Sequence, residues 1–187
     1  MRTFNLADLF EIVASAVPDR TAFVCGAASL SFAELDARAT RLANGLRASG
    51  VRRGHNVGIQ LYNSAPYLET FFACCKIGAA PVNVNYRYVA DELKYLFTTL
   101  DLRALVFGAE FDDVVAEVAP QVPTLALRVR VGGAGEPPRR TVRYDDLLAG
   151  AAPALDDLAR SDNDLLLLCT GGTTGRPKGV IWPHKAL

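Results

Sequence analysis

The residues best suited to phosphate chemistry lie in the stretch CTGGTTGRPKGV at 169–180. Its glycines leave backbone N–H groups free to approach an anion closely, its threonines add hydroxyl donors, and its lysine adds positive charge. A polyphosphate group requires this combination of short donors, positive charge and little bulk. The candidate phosphate ligands are Thr170, Gly171, Gly172, Thr173, Thr174, Gly175 and Lys178.

The same stretch does not fit the Walker A loop. That motif ends in Gly-Lys-Ser/Thr at the start of a helix, whereas here the order is Pro-Lys-Gly and β-prone residues follow. A polar hairpin loop that binds nothing has a similar composition, so composition alone leaves both interpretations open.

The bulk properties limit the possible partners and compartment. The chain of 187 residues carries 20 basic and 20 acidic residues, which argues against nucleic acid as the main partner but not against a nucleotide. The four cysteines show no metal-ligand spacing, so no metal site is predicted; we expect buried reduced thiols at Cys25, Cys74, Cys75 and Cys169. No apolar run has the length of a transmembrane segment, and a cytoplasmic location is predicted.

Predicted strands alternate with predicted helices along the chain. Strands are expected at 21–25, 56–61, 79–85, 104–108, 124–131, 164–169 and 179–182. Helices are expected ahead of Pro18, from the Ser31–Glu34 capping box to Gly50, from Pro66 to Gly78, and at 91–100, 110–119 and 144–149. This order predicts an α/β fold with a layered, largely parallel sheet flanked by helices.

Hydrophobic spacing also predicts which helix faces are buried. In the first helix, one stripe carries Leu6, Leu9, Phe10, Val13 and Val17. In the second, Leu35, Leu42 and Leu46 share a face. The Gly- and Pro-rich segment 132–140 is expected to be a surface loop, because no G-x-G-x-x-G opens a helix there.

The sequence TGGTTGRPKGV resembles the phosphate-binding signature of the adenylate-forming superfamily, the AMP-binding enzymes. The usual form is Thr-Ser-Gly-Thr-Thr-Gly-x-Pro-Lys-Gly, and Gly171 stands where the serine is common. Further similarity to acyl-CoA synthetases lies in SFAELD, in GHNV with His55 replacing an acid, in Asn63–Ser64 and in GAAPVNVN. The likeness covers nearly all of residues 1–187, and TGG with NVNYRY looks most like enzymes that activate fatty, steroid-side-chain or related lipid acids.

The resemblance implies an ATP-dependent acyl-CoA synthetase whose cofactors are ATP, Mg²⁺ and CoA. In such an enzyme the carboxylate of a small carboxylic acid would attack the α-phosphorus of ATP and release pyrophosphate, and CoA would then displace AMP from the acyl adenylate. Residues 170–175 would bind the β- and γ-phosphates, with Lys178 as supporting charge and Arg176 solvated. His184 matches a family histidine and is expected to be structural first, with a catalytic role as the alternative.

The resemblance also implies that residues 1–187 are the N-terminal portion of an AMP-binding domain, truncated just after the phosphate-binding loop. No catalytic or metal-binding residue is then expected within it, and the fragment alone is expected to be inactive. An unpaired sheet edge would make a homo-oligomer plausible. Two alternatives stay open: an adenylation domain that loads a carrier protein, and a non-catalytic nucleotide-binding module.

Overall fold

The computed structural model describes residues 4–156, 158–170 and 177–187, in which helices and strands alternate as the sequence predicts. The helices are α1 Leu6–Ala16, α2 Phe32–Ala48, α3 Ala65–Lys76, α4 Ala90–Thr99, α5 Asp112–Val118 and α6 Tyr144–Ala149. The strands are β1 Thr21–Cys25, β2 Ala28–Ser31, β3 Asn56–Gln60, β4 Ala80–Asn83, β5 Leu102–Gly108, β6 Leu127–Val131, β7 Val142–Arg143, β8 Leu165–Thr170 and β9 Lys178–Pro183.

Within the described residues, seven strands form one sheet in the order β7-β6-β5-β3-β4-β8-β9. The pairs from β7 to β8 are parallel, whereas β8 and β9 form an antiparallel hairpin. The predicted α/β fold with a largely parallel sheet is confirmed. Strands β1 and β2 form a separate antiparallel pair that the sequence did not distinguish from the main sheet.

Two hydrophobic cores cover the two faces of the sheet. One contains side chains of α2, α3 and α6, such as Leu42, Ala73 and Leu148, against Val57 and Ile59 of β3. The other contains side chains of α4 and α5 with β4 and β5. The connections that leave the adjacent strands β3 and β4 therefore go to opposite faces, which opens a crevice between their carboxyl ends.

The local sequence accounts for the ends of α2 and α3. The Ser31 hydroxyl accepts from the Glu34 N–H at 3.2 Å, and the Glu34 carboxylate accepts from the Ser31 N–H at 2.8 Å. Gly50 and Gly78 have φ of 97° and 67°, which a residue with a side chain rarely adopts. Both predicted helix ends are confirmed, and Leu35, Leu42 and Leu46 are buried as expected.

The predicted buried stripe of α1 is wrong in part. The buried residues are Ala7, Phe10 and Ala14, whereas Leu9 and Val13 are 50% and 42% exposed. Two alanines allow close approach to the neighbouring helices, and the Phe10 ring stacks on Phe72 with centroids 4.0 Å apart. The helix therefore packs largely through its alanines, which a pattern of large hydrophobic residues does not predict to be buried.

The cysteine prediction holds for Cys74 and Cys75, which are buried, but not for the other two. Cys25 is exposed because it ends β1, whose hairpin lies outside the main sheet, and Cys169 is half-buried.

Several element boundaries also differ from the prediction: β6 begins at Leu127 rather than at 124, and a 3-10 turn at Ala109–Phe111 precedes α5. Among the described helices, none combines the length and apolarity needed to cross a membrane.

Candidate functional site

The crevice between the carboxyl ends of β3, β4 and β8 is a cavity of about 360 Å³. Polar and aromatic side chains at the end of β4 and just after β3 and β4 line it, together with one from the first turn of α3. They include Asn63, Tyr67, Asn83, Asn85, Tyr86 and Arg87. The carboxyl ends of parallel strands are where α/β sheets bind ligands, so this crevice is the leading candidate site.

Thr170 and Lys178 lie opposite each other at the loop end of the β8–β9 hairpin, next to Cys169, which lines this crevice. They form the last register pair of the ladder, and the Thr170 hydroxyl donates to the Lys178 carbonyl at 3.5 Å. Both residues are exposed. The hairpin thus brings two of the predicted phosphate ligands together, with the Lys178 ammonium in no ion pair within the described part of the chain.

The remaining predicted ligands connect these two residues. Gly171, Gly172, Thr173, Thr174 and Gly175 lie outside the described residues, as does Arg176. Their assignment to the β- and γ-phosphates stays a prediction. What the structure gives is the position of both ends of the loop, beside the crevice.

Gly179 has a packing role that the sequence did not reveal. A Cβ atom at this position would lie 2.9 Å from Leu100 Cδ2, at the end of α4. Only glycine allows β9 to approach so closely without displacing that side chain. Gly179 therefore determines how closely the start of β9, which includes Lys178, lies to Leu100.

The thiol and the phenol in the crevice are both held in the neutral form. Burial raises the pKa of Cys169 to about 11, so this thiol is a poor nucleophile at neutral pH. Burial, followed by the neighbouring Cys169, also raises the pKa of Tyr67. Arg87 supplies a cation at the rim, 5.5 Å from the centre of the Tyr86 ring. The lining suits the polar part of an organic ligand rather than covalent catalysis by cysteine.

Gln60 lies at the last position of β3 with its side chain fully buried. Within the described residues, neither its amide nitrogen nor its amide oxygen has a hydrogen-bond partner, and the same holds for the buried Tyr88 hydroxyl. Unpaired buried polar groups are uncommon and often mark functional regions. Neither residue belongs to a motif in the sequence, although the position of Gln60 at the end of a predicted strand is where ligands of α/β sheets bind.

His184 follows β9 as the first residue of a short 3-10 helix, His184–Ala186. Its side-chain Nδ1 accepts from the Leu6 backbone N–H at 3.2 Å, and the backbone N–H of His184 donates to the Asp164 backbone carbonyl at 2.8 Å. Burial lowers the pKa of the imidazole. These contacts support the structural role that was expected first.

The described residues contain no group of three acidic, histidine or cysteine side chains able to hold a metal ion. The hydroxyl of Thr170 and the ammonium of Lys178, by contrast, fit a phosphate group.

A sequence model of the family described as AMP-binding enzyme matches residues 10–187. The chain belongs to the AMP-binding enzyme family. The resemblance read from the loop and from the first half of the chain is thereby confirmed.

Named relatives of this AMP-binding family member are CoA ligases. The 3-oxocholest-4-en-26-oate–CoA ligase of Rhodococcus rhodochrous is 40% identical over 184 residues, which cover 97% of this chain and 33% of that ligase. A medium/long-chain-fatty-acid–CoA/3-oxocholest-4-en-26-oate–CoA ligase of Mycobacterium marinum is 40% identical over 188 residues, 97% of this chain and 34% of its own. The chain thus spans about a third of the curated relatives it matches.

The fold comparison agrees with the family assignment. The crystal structure of the anthranilate CoA ligase AuaEII in complex with anthranoyl-AMP superimposes with a TM-score of 0.91 at 26% identity. The match covers 98% of this chain and 35% of that one.

Proposed function

We propose that the chain supplies the phosphate-binding part of an ATP-dependent acyl-CoA ligase. The observation that carries the proposal is the pairing of Thr170 with Lys178 beside a polar crevice at the carboxyl edge of the sheet. The CoA-ligase relatives at 40% identity support the reaction class. Their lipid acids support a fatty or steroid-derived acid as substrate.

The chemistry required of these residues is electrostatic. When a carboxylate attacks the α-phosphorus of ATP, negative charge builds on the departing pyrophosphate, and fixed donors lower the barrier by stabilising it. An exposed ammonium that no carboxylate neutralises within the described residues suits that role, as does the adjacent hydroxyl. We extend the assignment to residues 171–175, whose backbone N–H groups would complete the phosphate cradle.

Three participants beyond this loop belong to the proposal. ATP and CoA are the proposed co-substrates, and Mg²⁺ would accompany ATP. The proposed location is the cytoplasm, where these co-substrates occur.

A homo-oligomer through the exposed edge strand β9 is also proposed, because Val180 and Ile181 are 40% and 61% exposed.

The test compares Lys178→Ala with Lys185→Ala in acid-dependent ATP–pyrophosphate exchange. The assay uses a polypeptide that contains this chain followed by the remaining two thirds found in the relatives. Loss of a charge-assisted phosphate contact of about 1.5–3 kcal/mol lowers exchange roughly tenfold or more. Lys185 is an exposed lysine that follows β9 at the end of the hairpin opposite Lys178, where it contacts Asn163 at 2.7 Å, so its removal should leave exchange unchanged.

The isolated chain of 187 residues separates the alternatives. We expect it to show no exchange, and turnover by it would contradict the truncation hypothesis. Tight ATP binding measured by calorimetry, without exchange in either polypeptide, would favour a non-catalytic nucleotide-binding module instead. Transfer to a carrier protein but not to CoA would identify a carrier-loading adenylation domain.

A further inference from the structure

A second concave site lies at the opposite edge of the sheet from Thr170. The segment before β6, the segment before β7 and the end of α5 form a cavity of about 470 Å³. Because β6 and β7 run parallel to β8, residues that precede them lie at the amino edge of the sheet. This cavity is therefore separate from the crevice at the carboxyl edge.

The cavity has a strongly positive lining over an apolar floor. Arg128, Arg139 and Arg140 contribute guanidinium groups, and Pro120, Pro123 and Pro138 contribute rigid apolar walls. None of the lining residues, all of which the structure describes, is acidic. The three arginines form no ion pair with any described residue.

Two arginines on one face of β6 differ sharply in their partners. Arg130 donates two hydrogen bonds to the Asp112 carboxylate, at 2.9 and 2.7 Å. Arg128, two residues earlier on the same face, donates to the Arg140 carbonyl at 3.1 Å and to no other described residue. Its Nε is buried and has no partner among the described residues. The positive charge of Arg130 is compensated by Asp112, whereas that of Arg128 meets no carboxylate in the part of the chain that the structure describes.

Three further features indicate that the surroundings of Arg128 are unfavourable for the stability of the folded protein. Burial, and then the positive charge of Arg140, lower the pKa of Arg128. Arg140 has φ of 61°, a conformation uncommon for a residue with a side chain, and its carbonyl holds the Arg128 guanidinium. The hydroxyls of Thr124 and Thr141, adjacent in sequence to lining residues, are buried without partners among the described residues.

We infer that this cavity is a second anion site, for a small organic molecule that carries a phosphate group. Several guanidinium groups without carboxylates favour phosphate, whose oxygens accept paired N–H donors. The volume lies within the range of about 300–1,000 Å³ that is usual for small-molecule pockets. The proline-lined floor suits an apolar or flat group attached to the phosphate. A ligand here would act at a distance from the proposed reaction.

The experiment is an amide-resolved NMR titration of the chain with AMP, pyrophosphate and octanoate as separate probes. We expect AMP to shift the resonances of 124–129 and 139–143, independently of any shifts at 168–170 and 178–180. Pyrophosphate should produce the same pattern more weakly, because it lacks the organic group. Octanoate should leave residues 124–129 and 139–143 unchanged.

Variants assign the effect to the arginines. Arg128→Gln should weaken AMP binding at this site about tenfold, the usual consequence of losing a charged hydrogen-bond partner. Arg139→Gln should weaken it as well, and because Arg139 is exposed, this variant is expected to fold normally even if Arg128→Gln does not. Arg47→Gln, on α2 and paired with Asp156, is the matched control and should leave binding unchanged.

Three results would overturn the inference. One is that phosphate probes shift only residues 168–170 and 178–180, beside the loop. A second is that the affinity at 124–129 and 139–143 is the same in Arg139→Gln as in the parent chain. Equal binding of octanoate would also contradict it, because the site would then recognise any organic anion.

Discussion

The imidazole Nδ1 of His184 accepts a hydrogen bond from the backbone N–H of Leu6, although the two residues are 178 positions apart in the chain. Leu6 is the first residue of α1, and its N–H is one of the groups that a helix start leaves without an intrahelical partner. The segment that follows the candidate phosphate loop is thus tied to the N-terminal helix.

Removal of this contact should destabilise the protein. We expect His184→Ala to lower the free energy of unfolding by about 1–2 kcal/mol, because a partly buried N–H loses its acceptor. Urea unfolding followed by circular dichroism measures the change. Lys185→Ala removes the exposed neighbour and should stay within about 0.5 kcal/mol of the parent chain; an equal loss in both variants would contradict the assigned contact.

The same histidine predicts a pH dependence. Burial lowers the pKa of His184 in the folded state below its usual value of 6.5, so the unfolded chain takes up this proton first as pH falls. The contribution of this residue to stability is therefore full above pH 6.5 and decreases as the pH falls below it. His184→Gln should flatten that part of the stability profile; an unchanged slope in this variant would exclude His184 as its source.

Arg160 joins the connector before β8 to α1, and its loss should be costly. Its guanidinium contacts Asp8 at 2.9 Å and Glu11 at 2.6 and 2.9 Å, and its Nε donates to the Lys76 carbonyl at 3.1 Å. We expect Arg160→Ala to lower the free energy of unfolding by about 2 kcal/mol.

Arg47→Ala is the control for this change, because its partner Asp156 is 83% exposed and such pairs contribute about 0–1 kcal/mol. Differential scanning calorimetry of both variants makes the comparison. A smaller loss of stability in Arg160→Ala than in Arg47→Ala would show that the contacts of Arg160 with Asp8 and Glu11 do not hold α1 in place.

Gly179→Ala tests the close approach of β9 to α4. The added methyl would lie 2.9 Å from Leu100 Cδ2, and overpacking of this kind costs about 1–3 kcal/mol. A lower melting temperature is the expected result. Gly135→Ala, where an added Cβ meets nothing within 4 Å, should melt close to the parent chain, and equal melting of the two variants would argue against the tight contact.

The sequence by itself determined the alternation of elements and the family. The capping box of Ser31 and Glu34 and the glycines at 50 and 78 act through local backbone geometry, so their positions could be read directly. The loop at 169–180 has a residue pattern specific enough to indicate the family, and the match over residues 10–187 confirmed it.

Only the tertiary structure decided which faces and which distant residues meet. The hydrophobic spacing is equally consistent with burial of Leu9 and Val13 and with burial of Ala7 and Ala14. Which of the two pairs is buried depends on how closely α1 approaches its neighbours. Cys25 is exposed because its hairpin lies outside the main sheet. The unpaired Gln60, the Leu6–His184 contact and the uncompensated Arg128 likewise depend on residues brought together from separate strands and loops, which no local pattern encodes.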